Sequence, residues 1–225
     1  MMVSTMDTSK PATEMTSTVV IIVDDDAAVR ASLDSLFRSI GHRTQLFGSP
    51  AELLACPLPD GPACIVLDVR LPGVSGLDLQ GQLIRQGIDF PIIFMTGHGD
   101  IPMSVRAMKA GAIDFLPKPF RDQDMLDAVT TALARDASRR SEAAAKGGLQ
   151  AQYETLTARE KEVMGYVASG LMNKQIAGSI GLSEITVKIH RGNVMRKMGV
   201  KSLADLVRAA EALGISRPRG TTDQT

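Results

Sequence analysis

The sequence has few cysteines and lacks any long apolar run. Cys56 and Cys64 are the only cysteines among its 225 residues, and two thiols fit a reducing cytosol better than a disulfide-stabilised scaffold. No apolar stretch approaches the ~20 residues that a membrane-spanning helix needs. Residues 1–17 are rich in Ser, Thr and Met without an apolar centre, which predicts a disordered tail rather than a secretory signal. We therefore expect a cytoplasmic protein that does not contact a membrane.

The chain also lacks a net charge, but its charges are unevenly distributed. Residues 1–140 hold 17 acidic and 13 basic side chains, whereas residues 141–225 hold 8 acidic and 12 basic ones. An acidic first part and a basic second part indicate different partners, and the basic part is suited to an anion. The composition, with 44% hydrophobic and 22% charged residues, is typical of folded globular protein.

The first half of the chain alternates short apolar runs with segments of helical periodicity. Each apolar run is bounded by Asp, Gly or Pro, as expected of buried strands. Five strands alternating with five helices predict a doubly wound, flavodoxin-like α/β domain whose parallel sheet is covered on both faces. The predicted strands are Thr18–Val23, Thr44–Phe47, Ala63–Leu67, Pro91–Met95 and Ile113–Leu116, and the predicted helices are Ala27–Ile40, Pro50–Ala55, Gly76–Gln86, Met103–Ala110 and Asp122–Arg135.

The second half of the chain predicts helices only. Residues 141–152 have no apolar period, which indicates a linker or a helical extension that stops at Gly147–Gly148. Beyond it, an all-α domain of four helices is expected at Ala158–Ser169, Asn173–Ile180, Glu184–Met198 and Leu203–Leu213. The predicted organisation is a tail at 1–17, the α/β domain at 18–138, a linker at 139–152, the helical domain at 153–216 and a second tail at 217–225.

Charged and polar side chains follow several predicted strands where each strand ends. Asp24 and Asp25 end the first strand, and Asp68 ends the third. Thr96 ends the fourth strand, and Lys118 follows the fifth. A doubly wound fold brings these positions together, and three close carboxylates repel one another unless a cation such as Mg²⁺ compensates them. A carboxylate beside that ion can attack phosphorus, while a hydroxyl and an ammonium suit the phosphoryl oxygens.

The helical half has the spacing of a helix-turn-helix. Asn173 starts a short helix, Gly181 allows a tight turn, and Ser183 caps the next helix. On that next helix, Ile189 can touch a thymine methyl group and Gly192 lets the backbone approach DNA. The helical wheel assigns Val187, Val194 and Met198 to a buried stripe, and Lys188, Ile189, Gly192 and Arg196 to the opposite face.

Four motifs resemble the signatures of receiver domains, and they occur in order at the right intervals: IVDDD (22–26), VLDVRLPGVSG (66–76), FMTGHGD (94–100) and DFLPKPF (114–120). The resemblance implies that Asp68 is the phosphoacceptor. It also implies that Asp25, Asp68 and the backbone carbonyl of Arg70 bind Mg²⁺ directly, whereas Asp24 acts largely through water. The remaining implied roles are Lys118 pairing with the phosphoryl group, Thr96 moving to bond it and Phe115 turning inward as the switch aromatic.

Residues 156–207 closely resemble the LuxR/NarL-type helix-turn-helix domain, with Gln175 where Glu is more usual. Together the two resemblances indicate a two-component response regulator of the FixJ/NarL family, with residues 96–120 most similar to the FixJ-like branch. The position of Arg191 leans toward the core, so it can bond backbone or phosphate rather than bases. The implied DNA contacts are Asn173, Lys174, Ser183, Thr186, Lys188, Ile189, Arg191, Gly192 and Arg196, and the implied dimer contacts are Leu203, Leu206, Val207 and Ala210.

These features predict a transcriptional regulator rather than an enzyme. A sensor histidine kinase would phosphorylate Asp68, the receiver would form a homodimer, and two helix-turn-helix domains would bind promoter DNA. Activation of transcription, with contact to RNA polymerase, is the expected output by analogy.

Two alternatives stay open. Asp24-x-Asp26 faintly resembles the nucleophile motif of haloacid-dehalogenase-type phosphatases, although Ala27 replaces the usual Thr or Val, and a phosphorylation-independent binding module is the other alternative.

Overall fold

The computed structural model describes residues 18–97 and 101–215 and divides the chain into two compact units, Met1–Arg140 and Ser141–Thr225. The tails expected at 1–17 and 217–225 lie outside the described residues, as do residues 98–100 of the third receiver motif. Among the helices of the described residues, none combines the length and the apolar character that crossing a membrane requires.

The first unit is built on a five-stranded parallel sheet. Its strands are β1 (Val19–Val23), β2 (Arg43–Phe47), β3 (Ala63–Asp68), β4 (Ile92–Thr96) and β5 (Asp114–Pro117). They pair in the order β2-β1-β3-β4-β5, which is the order of the flavodoxin-like doubly wound fold. The expectation of a doubly wound α/β domain is therefore confirmed.

Five helices cover the two faces of this sheet. They are α1 (Ala27–Ser39), α2 (Pro50–Ala55), α3 (Gly76–Arg85), α4 (Ile101–Lys109) and α5 (Asp122–Glu154). Because side chains alternate along a strand, β1 contributes to two separate cores. Val19, Ile21 and Val23 pack with α2, α3 and α4, whereas Val20 and Ile22 pack with α1 and α5.

The helix α5 is much longer than expected. It runs for 33 residues from Asp122 to Glu154 without a break, so the expectation that a helical extension stops at Gly147–Gly148 is wrong. Neither glycine adopts a positive φ, and each costs only about 1 kcal/mol relative to Ala in a helix. The alanines, Lys and Gln around them offset that cost. The segment expected as a linker is therefore helical, and its Leu149 and Tyr153 pack against the core of the second unit.

The second unit contains four further helices and its own core. They are α6 (Ala158–Ala168), α7 (Asn173–Ile180), α8 (Glu184–Lys197) and α9 (Leu203–Ala212). A capping box between Thr157 and Glu160 starts α6. Gly181, with φ of +67°, ends α7 in the left-handed conformation that the tight turn requires. The expected four-helix arrangement with a helix-turn-helix is confirmed.

A buried carboxylate joins α5 to the amino end of β3. Asp136 accepts hydrogen bonds from the Ala63 N–H at 3.0 Å and from the guanidinium groups of Arg139 and Arg140 at 2.5 and 2.7 Å. Burial alone would raise the pKa of Asp136, but these donors lower it below its ordinary value. The carboxylate is therefore held in its charged form at the end of the sheet that lies away from Asp68.

The two cysteines are both free thiols. Cys56 is exposed and Cys64 is buried in β3. Burial, together with the charge of Asp136, raises the pKa of Cys64 to about 12, so this thiol is not a nucleophile at neutral pH.

Candidate functional sites

The carboxyl ends of β1 and β3 bring Asp24, Asp25 and Asp68 together. Val23 pairs with Leu67, so the chain leaves both strands at the same level. One carboxylate oxygen of each aspartate lies within 4.8 Å of the other two. Asp24 is fully buried and Asp68 nearly so, whereas Asp25 is exposed. The site is therefore an acidic pocket with one open side.

Lys118, just after β5, bridges two of these carboxylates. Its Nζ donates to Asp24 Oδ2 at 2.6 Å and to Asp68 Oδ2 at 2.7 Å. Burial raises the pKa of Asp24, and the hydrogen bonds from Lys118 and the Asp26 N–H oppose that rise only in part. Burial would lower the pKa of Lys118, but its two carboxylate partners raise it above the ordinary value. One ammonium among three carboxylates leaves an excess of negative charge.

This excess charge and the set of oxygen donors fit a divalent cation. Carboxylate oxygens are the ligands that Mg²⁺ prefers, and the raised pKa of Asp24 indicates that Lys118 alone does not compensate the pocket. The resemblance of the sequence to receiver domains predicts Mg²⁺ at this pocket. The Arg70 N–H donates to Asp68 Oδ1 at 2.9 Å, which orients the carboxylate and holds the main chain of Arg70 at the site.

The ends of β4 and β5 supply two further residues of the expected site. Thr96 is fully buried at the end of β4, and its carbonyl accepts the Lys118 N–H at 2.7 Å. This bond positions the segment that carries the Lys118 ammonium. Phe115 is half-buried in β5, where its ring centroid lies 6.3 Å from that of Phe94. The structure thus brings Thr96 and Lys118 together and places Phe115 against the core.

Gly76 is a further site residue whose role the sequence analysis did not identify. It begins α3, and its N–H donates to the Val69 carbonyl at 2.9 Å. A Cβ on Gly76 would overlap the carbonyl oxygen of Asp68. Only glycine therefore lets α3 start so close to Asp68. The signal was present at the end of the VLDVRLPGVSG run, but it does not distinguish close packing from an ordinary turn.

In the second unit, α8 exposes one face that combines basic and apolar side chains. The sequence analysis missed Ile185, which is 74% exposed and lies one turn before Ile189, itself 59% exposed. Ser183 caps the helix, since its Oγ accepts the Thr186 N–H at 3.2 Å. The expected DNA contacts that the structure exposes are Lys174, Ser183, Lys188, Ile189, Gly192 and Arg196, whereas Asn173, Thr186 and Arg191 are half-buried.

Two basic residues of α8 are bonded inside the second unit. Arg191 Nη1 donates to Asn173 Oδ1 at 3.2 Å, so these two expected DNA contacts are engaged with each other. Lys197 Nζ donates to Glu160 Oε2 at 2.6 Å and to the Thr155 carbonyl at 3.2 Å. The hydrogen bond from Lys197 lowers the pKa of the buried Glu160 despite the opposing effect of burial. Lys197 therefore holds the end of α8 against the start of α6.

The expected dimer contacts on α9 divide into exposed and buried side chains. Leu203 is 44% exposed and Val207 is half-buried, whereas Leu206 and Ala210 are fully buried in the core of the second unit. A second copy cannot contact Leu206 or Ala210 while this core is intact. The expectation for these two residues is corrected accordingly, because the apolar period of α9 marks the unit's own core.

Comparison with known families identifies both units. Residues 20–130 match the response regulator receiver domain, and residues 154–210 match the bacterial regulatory proteins of the luxR family. A receiver domain followed by a luxR-type DNA-binding domain defines a transcriptional response regulator. This combination implies a histidine kinase as one partner and DNA as the other.

Similar proteins span almost the whole chain. Nodulation protein W of Bradyrhizobium diazoefficiens is 57% identical over 210 residues, covering 93% of this chain and 92% of that protein. The response regulator TodT of Pseudomonas putida is 48% identical over 197 residues, 88% of this chain and 87% of that protein. The transcriptional regulatory protein FixJ of Azorhizobium caulinodans is 43% identical over 195 residues, 87% of this chain and 92% of that protein.

Solved structures agree with these matches. The response regulator StyR superposes with a TM-score of 0.79 at 48% identity over 87% of this chain and 98% of that chain. Full-length FixJ from B. japonicum gives a TM-score of 0.53 at 39% identity over 87% of this chain and 97% of that chain. The chain belongs to the FixJ-like family of response regulators, which are regulators of transcription.

Proposed function

We propose that this protein activates transcription when Asp68 accepts a phosphoryl group from a sensor histidine kinase. The observation that carries the proposal is the Lys118 ammonium, which lies 2.7 Å from the Asp68 carboxylate inside the acidic pocket. A nucleophile has to be accessible to its substrate. The Asp68 side chain keeps 10% of its surface exposed, whereas that of Asp24 keeps none. Asp68 is therefore the better candidate of the two carboxylates that Lys118 contacts.

In the proposed reaction, one Asp68 oxygen attacks the phosphorus of a phosphohistidine and forms an O–P bond. The P–N bond breaks, and the imidazole nitrogen of the donor keeps the electron pair. Lys118 donates to the phosphoryl oxygens, and the Thr96 hydroxyl is the second proposed donor. Asp25, Asp68 and the carbonyl of Arg70 would hold Mg²⁺ directly, and Asp24 would act largely through water. When bound, the ion supplies positive charge that offsets the charge developing on the phosphoryl group.

The proposed output runs through Phe115 and the second unit. Phe115 turns inward as Thr96 bonds the phosphoryl group, the receiver forms a homodimer, and two luxR-type units bind paired half-sites in promoter DNA. Tethering makes the second half-site contact intramolecular, which raises the overall affinity. Of the expected dimer contacts on α9, Leu203 and Val207 remain available for pairing. We place this activity, including contact with RNA polymerase, in the cytoplasm.

We assign the receiver domain to residues 18–138 and the luxR-type domain to residues 153–216. The segment between them, 139–152, is the connecting part of α5. The DNA contacts that we propose lie on the accessible faces of α7 and α8. Arg191 and Asn173, which bond each other, would instead hold α7 and α8 in the geometry of the helix-turn-helix. The proposed set is the exposed Lys174, Ser183, Lys188, Ile189, Gly192 and Arg196 together with the half-buried Thr186.

The test is the intact and peptide mass of the protein after incubation with acetyl phosphate, with and without Mg²⁺. The wild type should gain one phosphoryl group at Asp68 only in the presence of Mg²⁺, and Asp68→Asn should gain none. Asp124→Asn, which changes an exposed carboxylate on α5, should behave as the wild type. An adduct on Asp24 would contradict the proposal and favour a phosphatase. DNA binding of the modified and unmodified protein then measures the output.

A further inference from the structure

Two neighbouring isoleucines form the centre of the exposed face of α8. Ile185 is 74% exposed and Ile189 is 59% exposed, and they are four residues apart on one helix. Residues at this spacing lie on the same face with their Cβ atoms about 6 Å apart. Neighbouring apolar side chains that a fold leaves in solvent are unfavourable unless a partner covers them.

Two basic residues of α8, Arg191 and Lys197, are directed away from this pair. Arg191 is bonded to Asn173, and Lys197 is bonded to Glu160, so both guanidinium and ammonium are directed into the second unit. Lys188 is exposed beside the isoleucines, where it can reach phosphate or base edges. Ile185 and Ile189 therefore form an apolar pair on a face that also carries the exposed Lys188 and Arg196.

Gly192 continues the same face one turn beyond Ile189. A Cβ built on Gly192 meets no atom within 4 Å, and its φ is not positive. The fold of the second unit therefore does not require glycine at this position. Because Gly192 has no side chain, a flat partner can approach the helix backbone next to the two isoleucines.

We infer that Ile185 and Ile189 together read the C5 methyl groups of two thymines in the major groove. This inference rests on the proposed binding of DNA by α8. The thymine methyl is the apolar group that unmodified base pairs present in the major groove. With about 6 Å between the two Cβ atoms and about 3.4 Å between base pairs, the two methyl groups belong to base pairs about two steps apart.

The inference predicts a specific chemical feature of the DNA site. Binding sequences are first selected from a random duplex library with the full-length chain after treatment with Mg²⁺ and acetyl phosphate. Each thymine of the selected site is then replaced in turn by deoxyuridine, which removes only the methyl group. Two positions in a half-site should each weaken binding about fourfold, the value expected for one buried methyl group.

The variants assign each methyl group to one side chain. Ile185→Ala should remove the effect of deoxyuridine at one of the two positions and leave it at the other, and Ile189→Ala should do the reverse. Ile84→Ala is the matched control, because it removes a 55% exposed isoleucine from α3 of the receiver. It should leave both effects unchanged. Unfolding followed by tyrosine fluorescence checks that the α8 variants are folded.

Two results would overturn the inference, and they are distinguishable from failure of the proposed function. If a sequence is selected but no thymine is sensitive to deoxyuridine, the isoleucines do not read methyl groups. If Ile185→Ala retains both methyl effects, Ile185 is not a reader. If no sequence is enriched at all, DNA binding itself fails and the inference falls with it.

Discussion

Lys197→Met should destabilise the second unit by far more than a typical surface substitution. In the wild type, the Lys197 ammonium donates to Glu160 at 2.6 Å, and the Glu160 side chain is only 5% exposed. Removing the partner of a buried charge costs about 3–5 kcal/mol. Because a quarter of the Lys197 side chain is exposed, water can replace part of the lost interaction. We therefore expect the free energy of unfolding to fall by about 2–3 kcal/mol, which lies at or below the lower limit of that range.

Lys161→Met is a control with a similar ion-pair distance and a different environment. The Lys161 ammonium also lies 4.7 Å from the centroid of the Tyr153 ring. Lys161 donates to Glu154 at 2.7 Å, but the Glu154 side chain is 58% exposed. Exposed ion pairs are screened by water and contribute little to stability, so this variant should lose less than half of what Lys197→Met loses. Equal losses would refute the argument that burial, rather than distance, determines the contribution of each pair.

Urea unfolding followed by tyrosine fluorescence measures both variants selectively. The chain has no tryptophan and two tyrosines, and both Tyr153 and Tyr166 lie in the second unit. The signal therefore reports on the unit that contains the substitutions and is insensitive to the receiver. The midpoint and slope of the transition give the free energy of unfolding.

The same variant tests whether Lys197 acts on DNA directly. A lysine that contacts phosphate contributes about one to the slope of log affinity against log salt concentration. Because Lys197 is committed to Glu160 and Thr155, Lys197→Met should leave that slope unchanged, measured at a temperature where the variant is folded. Lys188→Met should reduce the slope by about one. An equal reduction in both variants would show that Lys197 contacts phosphate.

Three other changes examine the rest of the molecule. Alanines in place of Gly147–Gly148 should stabilise α5 by up to about 2 kcal/mol, seen as slower amide exchange in its last turns, because both glycines are helical with open space at Cβ. Gly76→Ala should abolish phosphorylation by acetyl phosphate, since its Cβ would overlap the Asp68 carbonyl, whereas Gly81→Ala in the same helix should retain it. The lowered pKa of Asp136 means that its stabilising effect is complete above the ordinary pKa that this carboxyl has in the unfolded chain, and that the effect is lost as the pH falls through the lower pKa of the folded state. Circular dichroism of urea unfolding should show a loss of stability below pH ~4 that is larger in the wild type than in Asp136→Asn, because other acids with lowered pKa values, such as Glu160, titrate in both proteins.

Hydrophobic periodicity was sufficient to predict most elements of the fold. The observed strands differ from the predicted ones by no more than one residue at either end, and α2 and α7 have the predicted bounds. Buried strands need apolar residues on both faces, so their limits are visible as the points where polar residues begin. The positions of Asp24 and Asp68 at strand ends were accessible from sequence for the same reason.

The partners of individual polar side chains were not predictable in this way. A helical wheel gives the direction of Arg191, but it does not show that Asn173 stands opposite it on α7. The sequence likewise does not show that Glu160, 37 residues before Lys197, receives that ammonium. Leu206 and Ala210 illustrate the converse problem, because an apolar stripe has the same pattern whether its own core or a second copy covers it.

The buried carboxylates of the described residues show how environment separates structural from functional acids. Asp136 accepts from two guanidinium groups and a backbone N–H, and Glu160 accepts from one ammonium and a backbone N–H. The pKa of each acid is lowered. Asp24 is equally buried and contacts Lys118, yet its pKa is raised, because burial and the charge of Asp68 outweigh that contact. A buried acid whose charge is compensated by groups of the same fold stabilises the folded state. A buried acid whose charge is only partly compensated lowers the stability of the fold. Such an acid is typical of a functional site, where a bound cation or a phosphoryl donor supplies the missing interactions.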